Sequence, residues 1–149
     1  MPYFTRQVAP NGSLLVIAYV GVSQARRNAL VLAGQPVPNV VQVQALIDTG
    51  ASCCCVDPSV LMKLSLTPTG SSPVNTPTTG NNPAMADQYD VGISIPSSQG
   101  MPPLVHHTIP VLQAELLQSQ GFHVLVGRDV LQGCFLTFDG KNGLFTLAY

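Results

Sequence analysis

Charge is scarce in this chain: its 149 residues carry six Lys or Arg, seven Asp or Glu and a formal net charge of −1, whereas an average domain has about one charged residue in four. That scarcity excludes a protein that grips nucleic acid or an anionic membrane, because both need a basic face. No Lys/Arg cluster exists beyond Arg26 and Arg27. The expected partners are therefore a protein or peptide, with no nucleic acid and no membrane. Long hydrophobic runs are missing too. The longest, 14–22, is nine residues, far below the ~20 that a membrane-spanning helix requires. The same run could form the core of a signal peptide, but the leader before it holds one Arg and an Asn11-Gly12 turn, a poor match to a secretory leader. Cysteine is sparse and badly spaced for stapling: Cys53, Cys54 and Cys55 are contiguous, and neighbours on a strand point to opposite faces. A reducing, cytoplasmic location is expected.

What is present favours strands. Apolar residues make up 46% of the chain but arrive in short pieces cut by Gly, Pro, Ser and Thr. That is the habit of many short strands, and of neither long amphipathic helices nor a disordered tail. The expected fold class is all-β, in one domain, since 149 residues is about one domain's length. Strands are predicted over 13–23, 29–33, 40–47, 52–56, 88–95, 107–112 and 124–126, with 24–28 as a loop. Asp57-Pro58-Ser59 reads as an N-cap with Pro at the first helical position, opening a short helix to about Leu64. The spacing of Leu112, Glu115, Leu116 and Ser119 predicts a two-turn helix stopped by Gly121. Arg128 opens another helical turn, and 135–138 with 144–148 flank Asp139-Gly140-Lys141-Asn142-Gly143 as a hairpin. The uncharged stretch 67–83, dense in Thr, Pro, Gly, Ser and Asn, reads as a long hairpin or mobile loop.

Chemistry concentrates at Asp48-Thr49-Gly50, directly after the apolar strand 40–47. A carboxylate followed by a small hydroxyl residue and Gly is an acid lifted onto a tight turn at the end of a buried strand. Two readings stand side by side: a catalytic acid, or a turn cap accepting backbone N–H bonds, as Asp does in many loops. Cys53, Cys54 and Cys55 with His106, His107 and His123 raise a thiol protease or a metal site as rivals. No Cys and His stand at ligand spacing, however, and strand geometry scatters the thiols, so they read as reduced core cysteines. His106-His107 reads as a solvated strand start and Arg26-Arg27 as a solvated loop.

Leu46-Ile47-Asp48-Thr49-Gly50-Ala51-Ser52 resembles the active-site motif of aspartic proteases. Downstream, Val124-Leu125-Val126-Gly127-Arg128-Asp129 resembles the second fingerprint of the retroviral type. The likeness extends to Gln88-Tyr89-Asp90 ahead of a strand, to the Gly-containing stretch before it where the family has its flap, and to Cys134-Phe135-Leu136-Thr137-Phe138. On these residues 13–149 is identified as a retropepsin-like domain, nearer to cellular and bacterial single-domain members than to viral ones, with 1–12 as an N-terminal extension. The resemblance implies a closed β-barrel of the acid protease fold with one or two short helices, working as a homodimer without cofactor or metal.

It also implies roles. Asp48 is the catalytic acid, supported by Thr49 bonding across the dimer axis, Gly50 bonding the substrate backbone, and Ala51. Thr79, Gly80 and Asn81 form the flap tip, where a residue free of Cβ lets a hairpin close over a peptide; on the residues alone an ordinary surface hairpin is the better reading. Val126, Gly127 and Arg128 make the second fingerprint. The chain holds one Asp-Thr-Gly and no Asp-Ser-Gly, so the second carboxylate of the pair must come from Asp48 of a second chain. Three departures from the viral pattern stand out: a longer stretch between Ser23 and Gln44, an insertion over 113–123, and Ser52 where viral enzymes often carry an acid that pairs with the Arg of the second fingerprint. The expected function is an aspartic endopeptidase cutting extended, apolar-flanked peptides. The alternative is a catalytically weak or inactive protease-fold dimer that binds peptides or acts as a scaffold. The terminal hairpin, apolar on both faces, is expected to pair edge to edge with its twofold mate in a four-stranded interface sheet.

Overall fold

The computed structural model describes residues 1–75 and 82–149. In chain order the elements are β1 (Tyr3–Gln7), β2 (Leu15–Val22), α1 (Gln24–Leu32), β3 (Val41–Ile47), β4 (Cys55–Val56), α2 (Pro58–Lys63), β5 (Gly70–Val74), β6 (Ala84–Ile95), β7 (Leu104–Gln113), α3 (Leu117–Gln120), β8 (Val124–Val126), α4 (Arg128–Leu131), β9 (Phe135–Asp139) and β10 (Leu144–Ala148).

Alternation decides what the strands bury. Val16, Ala18, Val20 and Val22 of β2, Val43, Ala45 and Ile47 of β3, and Tyr89, Val91, Ile93 and Ile95 of β6 are all buried at every second position, as a period of two requires of a sheet with one face inward. Six strands, in the order β2-β3-β8-β4-β7-β6, close into a barrel through an additional β2–β6 pairing, and β5 pairs with β6 outside the ring. Closure removes the edges that an open sheet would expose. A second, three-stranded sheet, β1-β10-β9, packs Phe4, Phe145 and Leu147 into the same core. There the rings of Phe4 and Phe145 meet edge to face, 6.4 Å apart. Residues 1–12 carry β1, which pairs with β10 along its whole length. Among the described residues no helix is long and apolar enough to cross a membrane.

Local chemistry overrode the strand pattern at α1. The expected loop 24–28 and strand 29–33 are instead one helix, because Ser23 caps it by accepting from Arg26 N at 3.3 Å and Gln24 Nε2 donates to Asn28 Oδ1 one turn on. Gln, Ala, Arg and Leu are good helix formers, and with no residue of α1 buried its apolar residues carried no core signal. The two-turn helix expected from Leu112 is a single turn, α3, because Leu112 belongs to β7 and pairs with Gln88; Gly121 ends α3 at φ 81° as expected. The strand expected over 52–56 shrinks to β4. The predicted helix after Asp57 is present as α2, with Asp57 as its N-cap, and the stretch 67–83 includes β5, paired antiparallel with β6.

Candidate active site

β3 delivers Asp48. The strand lies between β2, antiparallel, and β8, parallel, and its end is fixed by Ile47 N donating to Leu14 O at 2.9 Å and Asp48 N donating to Val126 O at 3.0 Å. The chain then turns: Gly50 N donates to Asp48 Oδ1 at 2.8 Å, and a Cβ on Gly50 would sit 3.1 Å from that oxygen. The carboxylate is half-buried, while Thr49 and Gly50 are exposed. The turn-cap reading is thus satisfied by one oxygen, Oδ1. Among the described residues no hydrogen bond occupies Oδ2.

The second motif lies against the first. β8 runs between β3 and β4, with Ile47 opposite Val126 and Cys55 opposite Leu125. Gly127 must be glycine for steric reasons, since a Cβ would stand 2.6 Å from the carbonyl carbon and oxygen of Cys53. Arg128 N donates to Ala51 O at 2.9 Å, and the Arg128 side chain is exposed. Two residues to which the sequence assigned no site role, Asp129 and Cys54, complete the tie. Asp129 Oδ2 accepts from Cys54 N at 2.9 Å and Oδ1 from the Cys54 thiol at 3.1 Å, while Gly127 N donates to Cys54 Sγ at 3.4 Å. Asp129's signal in the sequence was its place in the first turn of α4, where an acid is favoured; Cys54, in a run of three cysteines, had none.

The environments of Cys54 and Cys55 make these two thiols poor nucleophiles. Burial, then the bond to Asp129, pushes Cys54 far up. Burial, then the neighbouring Cys53, raises Cys55 to about 12, with the charges of Asp129 and Asp48 adding to it. A thiol must ionise to attack, so this environment disfavours thiol catalysis. All four cysteines are free, and His123 is used in the fold, its Nδ1 accepting from Gln44 N at 3.4 Å. Among the described residues no group of three His, Cys, Asp or Glu is placed to hold a metal ion. A buried acid, Asp57, is committed to structure. Its Oδ1 accepts from Ser59 N and Oγ, and its Oδ2 from Leu116 N and Leu117 N. Burial alone would raise this carboxyl, but these bonds outweigh burial and bring it down to about 2.

Thr79, Gly80 and Asn81, the expected flap tip, lie outside the described residues. Their flanking strands do not: β5 and β6 pair from Gly70 with Gln88 out to Val74 with Ala84. Cavities of about 300 and 360 Å³ separate this hairpin from Cys53, Cys55 and the end of β7.

A family model described as aspartyl protease matches residues 34–130. Among solved structures, a retropepsin-like aspartic protease from Rickettsia conorii aligns with a TM-score of 0.59 at 18% identity, over 99% of this chain and 90% of that one. A foamy viral protease-reverse transcriptase in complex with an RNA/DNA hybrid aligns with a TM-score of 0.45 at 13% identity, over 80% of this chain and 12% of that one. No curated protein matches the chain.

Proposed function

The chain belongs to the aspartyl protease family and is retropepsin-like, and from that premise we propose that it is an endopeptidase, active as a homodimer, in which two Asp48 carboxylates share a proton around the attacking water. The observation that carries this reading is Asp48 itself, set at the end of β3 with one oxygen held by Gly50 N. Like charges ~3 Å apart cannot both ionise cheaply, so such a pair splits into one acid and one base. The ionised Asp48 takes a proton from water, and the protonated one donates to the scissile carbonyl oxygen. Thr49 and Gly50, exposed beside it, serve the partner loop and the substrate backbone respectively. The hairpin of β5 and β6 closes over an extended peptide and sheds water.

The twofold contact is proposed at β9. The outer edge of β1 is already engaged, with Tyr3 O accepting from Ser97 Oγ at 2.8 Å and Ser98 N at 3.2 Å. β9 is the other end of the sheet, and its Phe135 and Phe138 are 68% and 58% exposed. An edge strand without Lys, Pro or a bulge is a template for pairing. Because β1 adds to β10 within the chain, two copies joined through β9 build a six-stranded sheet where the hairpin alone predicted four.

Digestion of a peptide library, read by mass spectrometry, tests the proposal. Cleavage that Asp48→Asn abolishes while the fold and dimer persist is the expected result. Turnover retained by Asp48→Asn sinks the aspartic mechanism. Peptide binding without cleavage identifies a binding module.

A further inference from the structure

The larger of the two cavities under the β5–β6 hairpin speaks to the substrate, on the reading that Asp48 acts on peptides. It measures about 360 Å³ and is lined on one side by Cys55, Leu112 and Gln113 and on the other by Met85 and Asp87 of β6. Cys55 pairs with Leu125 of β8, which pairs in turn with Leu46 of β3, two residues before Asp48, so the cavity adjoins the candidate active site. Leu112 is buried and Cys55 half-buried, which makes an apolar floor. Strand alternation puts Asp87 on the same face of β6 as buried Tyr89, past the point where the barrel covers it, and Asp87 is exposed. Gln113, on the facing wall, has its Oε1 accepting from Tyr89 OH at 3.1 Å.

The charge in this region has one sign. Between Lys63 and His106 the chain has no Lys, Arg or His, and its charges are Asp87 and Asp90. The smaller cavity on the hairpin, lined by Cys53, Pro73, Gln88 and Pro110, carries a carboxylate as well, Asp129, but that one is already engaged by Cys54. Among the described residues no cation lines either cavity. A pocket with an apolar floor and an exposed carboxylate at its mouth suits a side chain with a long aliphatic stem and a cationic head.

We infer that this cavity receives a Lys or Arg side chain of the substrate, with Asp87 as the residue that selects it. Apolar flanks then describe only part of the substrate, which carries one basic residue at a fixed distance from the scissile bond.

The test walks a lysine through each position of an apolar peptide and compares it with acetyl-lysine at the same position, by fluorescence anisotropy on the Asp48→Asn protein and by kcat/KM on the active one. At one position lysine should bind about fivefold tighter, the upper range for a partly exposed ion pair, with the ratio shrinking as salt rises. The ratio should fall to about one in Asp87→Asn, and a glutamate peptide should become the preferred ligand of Asp87→Lys. Equal binding of lysine and acetyl-lysine at every position overturns the inference, as does a preference that survives Asp87→Asn. Binding is read on a protein that lacks Asp48, so failure of every peptide to be cut refutes the protease reading alone and leaves the ratio to decide this one.

Discussion

At the scale of single residues, half-buried Asp48 and buried Asp57 make opposite demands. Among the described residues no hydrogen bond occupies one oxygen of Asp48, whereas Asp57 spends both of its oxygens on four donors from α2 and the start of α3. Its carboxyl sits at about 2, below the ordinary 3.8, so its contribution is present above pH ~4 and is lost as pH falls through ~2. The shift corresponds to about 2 kcal/mol. Asp57→Asn should cost about 2–3 kcal/mol at pH 7, since an amide accepts more weakly from charge-seeking donors. The gap to wild type should close by pH 2, as urea midpoints across that range will show; a gap independent of pH contradicts the account. Gly127 makes a steric prediction. With a Cβ only 2.6 Å from Cys53 backbone atoms, Gly127→Ala forces the two motif loops apart and should cost about 3 kcal/mol in thermal or chemical denaturation. Cys54→Ser keeps a donor for Asp129 and should stay within about 1 kcal/mol of wild type. Cys54→Ala leaves the carboxylate short of a partner and should lose about 1–2 kcal/mol.

Among the elements, α1 is one whose surface is not settled by the barrel. α1 buries nothing and is anchored at its start, where Ser23 is 5% exposed and accepts from Arg26 N. Ser23→Ala should therefore cost about 1 kcal/mol, the usual value of an N-cap. Polar replacements of the exposed Val31 or Leu32 should stay within about 0.5 kcal/mol. Denaturant midpoints of the three variants check the contrast. This element was illegible in the sequence for a physical reason: 29–33 reads as apolar strand, and the backbone is tipped toward helix by a Ser23 side chain accepting from Arg26 N and by the Gln24–Asn28 bond. The barrel strands were legible because burial on one face writes a period of two into their side chains. Asp57-Pro58 announced α2 by cap chemistry confined to adjacent residues.

For the whole molecule, the proposed dimer turns on β9 and not on β10. β10 is the middle strand of its sheet and places Phe145 and Leu147 in the core, so deleting 144–149 would unfold the chain before it tested association. Phe135→Lys with Phe138→Lys acts on exposed residues and puts like charges on the pairing edge. Sedimentation should then find monomers, and peptide cleavage should disappear although Asp48 is untouched. A full-strength dimer in this variant, or an active monomer, overturns the assignment of the interface to β9.

The sequence by itself determined the all-β class, the turn that carries Asp48 and the kinship of the two motifs, because strand alternation, cap chemistry and short motifs are properties of neighbouring residues. Tertiary structure decided the rest. That β8 lies between β3 and β4, that Asp129 takes up Cys54, and that β1 occupies one edge of the terminal sheet and leaves β9 open are all pairings between residues dozens of positions apart. Such pairings are set by which apolar faces close on one another in space. No local pattern records them.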